Sequence, residues 1–403
     1  MWRLKRLTIP HKLVIICVIE LRPMMLFRRS LGRNGRFLGR AIQALGEKTV
    51  RILRNCWYAA GWADEVVAGT PLTRRIADLP ILFFRREDGG IAAIADYCPH
   101  RFAPLHRGKQ IGSHIRCGYH GLEFDGAGKC VHNPHKLGNL PKQTIPSYSV
   151  VSRYGVMWIW IGDKEADADL INEEFAFLED PKRAHVRGRF HVKANYLLML
   201  DNLMDISHAL YLHGEALMTE DLYKKYDPKV SDETDGIKVT LEQHEITAPL
   251  IFRAALPAGT EKVDFYDYVK GLLPANVSHD IAYTQLGQAP YLPSGVSSRS
   301  AHLFTPETSH TTHYFFDNSR DFMVGDKQVD ERMLGVLTKA FGEEDIPMIE
   351  AQQRVLGEAD LMDLQPVLLV NDRAAVMARR KLAKRIQEQG AGSEAAQITA
   401  ALT

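Results

Sequence analysis

Residues 96–130 read DYCPHRFAPLHRGKQIGSHIRCGYHGLEFDGAGKC, and this stretch decides the fold of the first half of the chain. Cys98-x-His100 is followed, after sixteen residues, by Cys117-x-x-His120. Each short segment supplies one thiol and one imidazole, which are groups that bind transition metals. The glycines and prolines around them are typical of tight loops. We therefore interpret the stretch as two ligand-bearing loops that face each other.

This mixed pairing fits a Rieske [2Fe-2S] cluster, in which one iron binds two thiolates and the other binds two imidazoles. Imidazole in place of thiolate removes negative charge and raises the reduction potential, so such a cluster relays electrons. A zinc site is the alternative, because two cysteines and two histidines also build a tetrahedral centre. Zinc fingers pair like ligands, whereas each pair here is mixed. Four nearby histidines fall outside the spacing and are interpreted as ordinary surface or loop residues: His106, His114, His132 and His135.

A second histidine pair lies in residues 201–215, DNLMDISHALYLHGE. Asn202, Asp205 and His208 are three residues apart, which predicts one broad face of a continuous helix. His213 precedes a glycine, where we expect the helix to end and the chain to bend back. Two histidines can bind a non-haem iron together with a carboxylate from elsewhere, leaving positions open for O2. Alone, the pair fits ordinary helix histidines equally well, but an electron relay in the same chain needs a redox partner.

Length and composition fit a globular protein of two domains, with 403 residues, 45% hydrophobic content and 50 basic side chains against 49 acidic ones. This charge balance gives no reason to expect a nucleic-acid partner. Short β runs separated by turn residues predict a small antiparallel β domain over residues 51–165. Residues 166–390 are expected to form the second, iron-binding domain, and residues 391–403 a C-terminal tail.

Residues 1–50 differ in composition from the rest of the chain. They hold eleven basic and two acidic residues, a net charge of +9, which leaves −8 for the remainder. Their apolar run, residues 13–19, is too short for a bilayer span of about 20 residues. We interpret this segment as a weakly ordered basic extension, with docking on a membrane or partner as the alternative. Five cysteines, an odd number, do not suggest a disulfide framework, so a cytoplasmic location is expected.

Together these motifs resemble the oxygenase components of Rieske non-haem iron ring-hydroxylating enzymes, in particular the vanillate O-demethylase and dicamba monooxygenase subgroup. The resemblance covers about residues 51–390 and includes Leu303-Phe-Thr-Pro-Glu-Thr and the acidic segment 344–354. It implies an α+β fold, in which the small antiparallel β Rieske domain precedes a helix-grip type α+β catalytic domain. It also implies a head-to-tail homotrimer.

The resemblance assigns metal ligands by position. The four cluster ligands and three iron ligands would be Cys98, His100, Cys117, His120, His208, His213 and Asp345. From the residues alone, Asp345 opens a helical run and could instead act as its N-cap. Asp360 and Asp363 are weaker candidates for the third iron ligand, because they follow a glycine where that helix should fray.

Three further residues receive roles from the resemblance. Asp205 matches a carboxylate that links the cluster of one subunit to the iron of its neighbour, and it is expected to accept hydrogen bonds from an iron-ligating imidazole and a cluster histidine. Asn202 matches a neighbour of the iron that orients the site without binding the metal. His302 matches a position near the substrate and could hydrogen-bond a carboxylate or phenol; a strand histidine that faces solvent is the alternative.

The implied cofactors are a Rieske [2Fe-2S] cluster and a mononuclear Fe(II). A separate reductase with flavin and a [2Fe-2S] centre, in some systems with a ferredoxin, would supply electrons from NAD(P)H, because no glycine-rich dinucleotide motif occurs in this chain. With O2, the enzyme would hydroxylate or O-demethylate a small aromatic acid such as a vanillate-like methoxybenzoate. Two alternatives stay open: an oxygenase for a non-aromatic substrate, and a Rieske electron carrier without oxygenase activity.

Overall fold

The computed structural model describes residues 51–135, 144–214, 217–290 and 295–402, with side chains described up to residue 389. The basic extension predicted for residues 1–50 lies outside the described residues. The segment predicted as a C-terminal tail, as far as residue 402, continues the last helix of the chain.

The first part of the chain consists of three small antiparallel sheets, as the β runs of the sequence predict. The sheet orders are β1-β11-β10, β2-β3-β4-β9 and β5-β6-β7-β8. The eleven strands are β1 Cys56–Trp62, β2 Leu72–Ile76, β3 Leu79–Arg85, β4 Ile91–Ala95, β5 Lys109–Ile111, β6 His114–Arg116, β7 Glu123–Phe124, β8 Cys130–His132, β9 Ser147–Tyr148, β10 Val150–Arg153 and β11 Val156–Ile161. Short 3-10 helices lie at Ala63–Glu65 and Leu105–Arg107.

The acidic stretch after β11 forms the connection to the second part, as expected from its composition. It contains two 3-10 helices, Ala168–Leu170 and Glu173–Glu179. Phe175 is buried there, and its ring lies 6.0 Å from the ring of Trp158 on β11. The connection is therefore packed against the sheet that it leaves.

The second part is built on one seven-stranded antiparallel sheet with the order β12-β18-β17-β16-β15-β14-β13. Its strands are β12 Ala184–Val192, β13 Lys229–Glu233, β14 Gly236–Ile246, β15 Val263–Leu272, β16 Asn276–Thr284, β17 Val296–Pro306 and β18 Thr312–Arg320. Strand β18 lies between β12 and β17 in the sheet. Every residue of β18 is buried, so both of its faces are covered. Burial on both faces explains its run of aromatic side chains.

Helices pack against this sheet, so the α+β class expected from the sequence is confirmed. They are α1 Tyr196–Met204, α2 Ala209–Leu212, α3 Glu220–Lys224, α4 Leu250–Arg253, α5 Lys327–Leu337, α6 Ile346–Leu356 and α7 Arg373–Leu402. A π-helix, Thr338–Asp345, joins α5 to α6, and 3-10 helices lie at Ile206–His208, Leu361–Leu364 and Val370–Asp372. Within the described part of the chain, none of these helices combines the length and apolar character that a bilayer crossing needs.

The two parts share a hydrophobic core. Trp57 and Trp158 of the first part pack in one buried cluster with Leu303 and Phe315 of the second. A hydrogen bond from Thr305 Oγ1 to the main-chain oxygen of Ala59 spans the same junction at 2.6 Å. Because this core is continuous, we expect the two parts to move as one body.

An ion pair fixes helix α1, which directly precedes the segment of the second histidine pair. The guanidinium of Arg379 on α7 donates to both carboxylate oxygens of Asp201 on α1, at 2.7 and 2.6 Å. The Arg379 side chain is 8% exposed and that of Asp201 20%. Two parallel hydrogen bonds in a poorly solvated place define the position of α1 against α7.

We predict that Arg379→Ala destabilises the fold by about 3 kcal/mol, because it leaves the Asp201 carboxylate without its buried partner. Urea unfolding followed by circular dichroism measures the effect. Lys224→Ala is the control, since it removes the exposed ion pair with Glu220 and should leave the unfolding midpoint unchanged. Equal midpoints for both variants would contradict the prediction.

Candidate functional site

Cys98 and Cys117 each open a tight loop that closes on itself. In the first loop, the Cys98 amide donates to the main-chain oxygen of Ala103, and the Phe102 amide donates back to Cys98, both at 2.8 Å. In the second, the Cys117 amide donates to Leu122 at 2.8 Å. The two loops therefore repeat the same closed arrangement, and each presents one cysteine inward.

Glycines let the second loop approach its neighbour. A Cβ atom at Gly108 would lie 1.9 Å from the main-chain oxygen of Arg116, and one at Gly118 would lie 2.6 Å from that of Arg107. Any other residue at these two positions would force the backbones apart. The glycines that the sequence pattern assigns to tight loops thus have a specific steric reason.

The four predicted cluster ligands divide between interior and surface. The side chains of Cys98 and Cys117 are buried, whereas His100 is exposed and His120 half-buried, with their ring centroids 4.6 Å apart. Burial raises the pKa of the Cys98 thiol to about 11, so a thiolate here needs a cation beside it. Two inner sulfur ligands and two outer imidazoles are the donor set of a Rieske cluster.

A single zinc ion fits this arrangement less well. Ligand atoms of a tetrahedral zinc lie roughly 3 to 4 Å apart, given metal–ligand bonds of about 2.0 to 2.3 Å. Among the described residues, three potential ligand atoms lie within 4.8 Å of one another at His208, His213 and Asp345. The four predicted cluster residues do not form such a group. The four cluster residues are spread more widely, as two bridged irons require.

The helix expected to run through Asn202, Asp205 and His208 is broken, which corrects the sequence prediction. Helix α1 ends at Met204, and Asp205 has an extended backbone with φ −126° and ψ 98°. The Asp205 carboxylate accepts a hydrogen bond from the Ser207 amide at 2.9 Å and so caps the following 3-10 turn. Aspartate competes for backbone donors in this way, and that preference overrides the helical period.

The predicted iron ligands meet at this break. The Nε2 atoms of His208 and His213 each lie 3.4 Å from Oδ1 of Asp345. Two ligand atoms bound at right angles to one metal, about 2.1 Å from it, would be about 3 Å apart. Although burial raises the pKa of Asp345, hydrogen bonds with the two histidines lower it to about 2, so the carboxylate is ionised and the site fits a cation.

The end of this segment follows the sequence prediction, because α2 stops at Leu212 and His213 caps it. Gly214 then adopts φ +61°, a left-handed conformation that glycine accommodates without strain. The side chain of His213 is only 4% exposed. The turn therefore directs it into the protein and toward His208.

Asp345 does not cap a helix, so the N-cap alternative is wrong. It is the last residue of the π-helix, lies in the middle of a continuous helical run into α6, and accepts no cap hydrogen bond. A π-helix inserts one extra residue into a helix and often marks a functional site. Asp360, the weaker alternative, caps Met362 and lies 3.7 Å from Arg379, and Asp363 does not join the three-ligand group either.

Hydrogen bonds orient both iron-site imidazoles. His213 Nδ1 donates to the carboxylate of Glu344 at 2.7 Å, and His208 Nδ1 donates to the main-chain oxygen of Asp205 at 2.6 Å. The expectation that the Asp205 carboxylate accepts from an iron-ligating imidazole is therefore wrong within this chain. Both bonds leave the Nε2 atoms directed at the metal position, an arrangement common around ligating histidines.

Asn202 lies beside these ligands, as expected. Its Nδ2 atom is 3.2 Å from Asp345 Oδ1 and 3.5 Å from His208 Nε2. Glu344, by contrast, was not singled out from the sequence. The signal was present in the acidic pair Glu344-Asp345, because a carboxylate adjacent to a ligand is well placed to fix an imidazole.

A cavity of about 120 Å³ opens beside the three ligand residues. Its walls are mostly apolar, with side chains from α4, α5, the π-helix, and strands β15 and β16, among them Phe252, Phe265, Ile281, Leu337 and Phe341. Such a wall excludes water and accepts a flat apolar body. The cavity is therefore a candidate substrate pocket.

His302 lines this pocket and does not face solvent, so the alternative role for it is wrong. It is 1% exposed, and its Nδ1 lies 2.7 Å from the hydroxyl of Tyr314. Burial, with the neighbouring His279, lowers the pKa of His302 to about 3, so the ring is neutral. Its Nε2 atom is buried without a hydrogen-bond partner.

A second histidine in the pocket is paired with a carboxylate. His279 Nε2 lies 2.9 Å from a carboxylate oxygen of Asp267. Burial alone would lower the pKa of His279, but the Asp267 carboxylate outweighs it and raises the pKa above the ordinary value. His279 lacks any motif context in the sequence; only its position in the sheet reveals it.

Two family descriptions match the chain. Residues 56–148 match the Rieske [2Fe-2S] domain, and residues 192–388 match the vanillate O-demethylase oxygenase C-terminal domain. Among curated relatives, the oxygenase component of chloroacetanilide N-alkylformylase from Rhizorhabdus wittichii is 36% identical, over 84% of this chain and 97% of its own length. The oxygenase component of dicamba O-demethylase from Stenotrophomonas maltophilia is 35% identical, over 84% and 99%.

The vanillate O-demethylase oxygenase subunit of a Pseudomonas species is 32% identical, over 86% of this chain and 98% of its own length. A crystal structure of dicamba monooxygenase bound to dicamba superposes with a TM-score of 0.77 at 35% identity, covering 85% of this chain and 100% of the other. The same enzyme with non-haem iron and dicamba gives a TM-score of 0.73 at 34% identity, over 85% and 99%.

We predict that His120→Ala abolishes the visible absorption of an iron–sulfur cluster, whereas His213→Ala spares it and lowers total iron by about one atom of roughly three per chain. The reason is that the two residues belong to different ligand sets. Absorption spectra and iron analysis of the purified variants measure both effects. Equal bleaching in the two variants would rule out separate metal sites.

Proposed function

The chain belongs to the Rieske-type oxygenase components that join a Rieske [2Fe-2S] domain to a vanillate O-demethylase oxygenase C-terminal domain, and on this premise we propose that it oxidises an aromatic acid with O2, by O-demethylation of a methoxy group or by hydroxylation. The observation that carries the proposal is the meeting of His208, His213 and Asp345 at the end of an apolar pocket that has a polar wall. An electron carrier without oxygenase activity would need neither the ligand group nor the pocket.

When bound, the cluster supplies single electrons and the mononuclear iron supplies O2 activation. The chain provides the ligands in both places: we propose Cys98, His100, Cys117 and His120 for the cluster, and His208, His213 and Asp345 for the iron. Asn202 would hold the Asp345 carboxylate in place, and Glu344 would hold the ring of His213. The apolar walls exclude water from the substrate.

Polar groups in the pocket wall can hydrogen-bond a substrate carboxylate. His279, whose Nε2 is paired with Asp267, is one such group. His302 contributes a second ring nitrogen, Nε2, which has no hydrogen-bond partner among the described residues. Relatives named for vanillate and dicamba act on aromatic acids of this kind. The proposed reaction consumes one methoxy group, one O2, two electrons and two protons, and yields a phenol, formaldehyde and water.

Other proteins complete the system. The relatives are oxygenase components, so electrons come to this chain from outside; we propose a reductase with flavin and a [2Fe-2S] centre, with or without a ferredoxin. The exposed edge of His100 is a suitable docking place for such a donor. No hydrogen bond or ion pair in the described part of the chain joins the cluster loops to Asp205, so we propose that a second copy in a homotrimer brings its cluster to this carboxylate.

The surface has a segment suited to contact between copies. Five large aliphatic side chains within residues 364–370 are between 48% and 89% exposed: Leu364, Val367, Leu368, Leu369 and Val370. Exposed aliphatic side chains grouped in this way are typical of an interaction surface. The proposed trimer would cover it.

We predict that the reconstituted enzyme releases formaldehyde from 4-hydroxy-3-methoxybenzoate in a one-to-one ratio with the phenolic product. Reductase, NADH and O2 are supplied, and both products are measured by chromatography. Asp345→Ala is the control, and it should lower the rate by at least about a hundredfold because an iron ligand is lost. If methoxylated aromatic acids are neither bound nor oxidised, while alkylamines or terpenoids are, the aromatic-acid proposal fails.

We also predict that Asp205→Ala leaves both metals bound and allows reduction of the cluster, but slows its reoxidation by O2 and substrate by orders of magnitude. The proposed bridge between subunits is then lost, while the ligand sets stay intact. Stopped-flow absorption in a single turnover measures reoxidation. Asp205→Asn is the control, because it retains the hydrogen bond from the Ser207 amide but not the negative charge. Near-normal reoxidation in either variant would exclude the bridge. Loss of the mononuclear iron alone would instead make Asp205 an iron ligand.

A further inference from the structure

A row of polar side chains crosses the pocket face of the sheet. His279 on β16 is the direct cross-strand partner of Ser300 on β17, and Ser300 is in turn the partner of Asn318 on β18. All three line the pocket. Since neighbouring strands lie about 4.8 Å apart, His279 and Asn318 begin about 10 Å from each other. This distance is on the scale of a benzene ring with a substituent at each end.

The amide of Asn318 is fixed by two serines. Its Nδ2 group donates to Ser298 Oγ at 2.7 Å and to Ser300 Oγ at 2.8 Å, so both amide hydrogens are used. Its Oδ1 atom is buried, and no group among the described residues donates to it. Asn318 is only 6% exposed. A buried carbonyl oxygen without a donor costs free energy unless a ligand supplies one.

His279 stands at the opposite end of the row, whereas His302 lies on the central strand β17, with its ring 6.4 Å from that of His279. His279 is paired with Asp267 and His302 with Tyr314. The Tyr314 hydroxyl can donate to Nδ1 of His302, which leaves the proton of that neutral ring on Nε2, facing the pocket as a donor. Donors therefore gather near His279 and His302, whereas the acceptor is at Asn318.

We infer that Asn318 is a specificity-determining residue, and that its Oδ1 accepts a hydrogen bond from an O–H or N–H group on the aromatic ring, at the end opposite the acid group. This inference rests on the proposed function and narrows it. The preferred substrate is an aromatic acid that also carries a hydroxyl or amino group, and a ring whose groups are all alkylated is a poor substrate. Ser298 and Ser300 are positioning residues, because they hold the amide with its oxygen toward the substrate.

The first test uses the unaltered holoenzyme and three matched compounds. These are 3-methoxybenzoates that carry a hydroxyl, an amino or a methoxy group at ring position 4. Calorimetry without reductase measures their dissociation constants, so no turnover occurs. We expect the hydroxyl and amino compounds to bind at least about tenfold more tightly than the methoxy compound, since only they can donate a hydrogen bond to Oδ1 of Asn318. Equal affinities, or a preference for the methoxy compound, would overturn the inference.

The same titrations distinguish a failure of the proposed function from a failure of the inference about Asn318. If none of the three compounds binds, the proposed function has failed and the inference fails with it. If all three bind and are demethylated without discrimination, the proposed function stands and Asn318 is not the residue that selects among them.

The second test changes the residue itself. Asn318→Leu has a similar volume and no polar atom, so we expect the tenfold preference to disappear through weaker binding of the hydroxyl and amino compounds. Asn276→Leu is the matched control, because Asn276 is equally buried, at 6% exposure, on the same sheet but outside the pocket. It should retain the preference. A preference that persists in Asn318→Leu would overturn the inference.

The serines provide a readout that does not depend on that variant folding. In the double variant Ser298→Ala, Ser300→Ala, the amide loses both of its fixed acceptors and can turn. We expect the ratio of the affinities for the hydroxyl and methoxy compounds to fall several-fold. An unchanged ratio would mean that the serines do not position Asn318, and would count against the inference.

Discussion

The catalytic part of the structure depends on one constraint: Oδ1 of Asp345 lies 3.4 Å from Nε2 of both His208 and His213. A carboxylate that is 4% exposed and two converging imidazoles are stable together only with positive charge between them, supplied by a metal or by protons. The histidines and the aspartate come from segments far apart in the chain. The seven-stranded sheet, the Asp201–Arg379 ion pair and the Glu344 hydrogen bond all serve to hold these two segments in register.

The same logic separates the two metal centres. In the predicted cluster site, the cysteines are buried and the histidines lie at or near the surface. A cluster held there would be accessible to an electron-donating protein on its histidine side. At the iron, the ligands lie at the closed end of an apolar pocket, where a substrate and O2 can be kept from water.

Much of this could be predicted from the sequence, and the exceptions have physical causes. The Rieske domain was recognisable because the spacing of Cys98, His100, Cys117 and His120 in two short loops is specific to it. The strands were recognisable from their β-branched and aromatic runs. The break at Asp205 was missed because a helical period describes spacing alone, whereas an aspartate can take its hydrogen bond from the next turn. His279 and Asn318 could not be found at all, since their meeting depends on the pairing register of three strands.

The π-helix at Thr338–Asp345 also limits how the chain can change in length. Removing one residue from it would restore an ordinary α-helix, and each residue shift turns the following side chains by about 100° around the helix axis. Asp345 would then point away from the histidines, although every residue type in the segment could remain the same. A change in length within these eight residues would therefore displace the Asp345 carboxylate, whereas surface loops of proteins in general tolerate insertions and deletions.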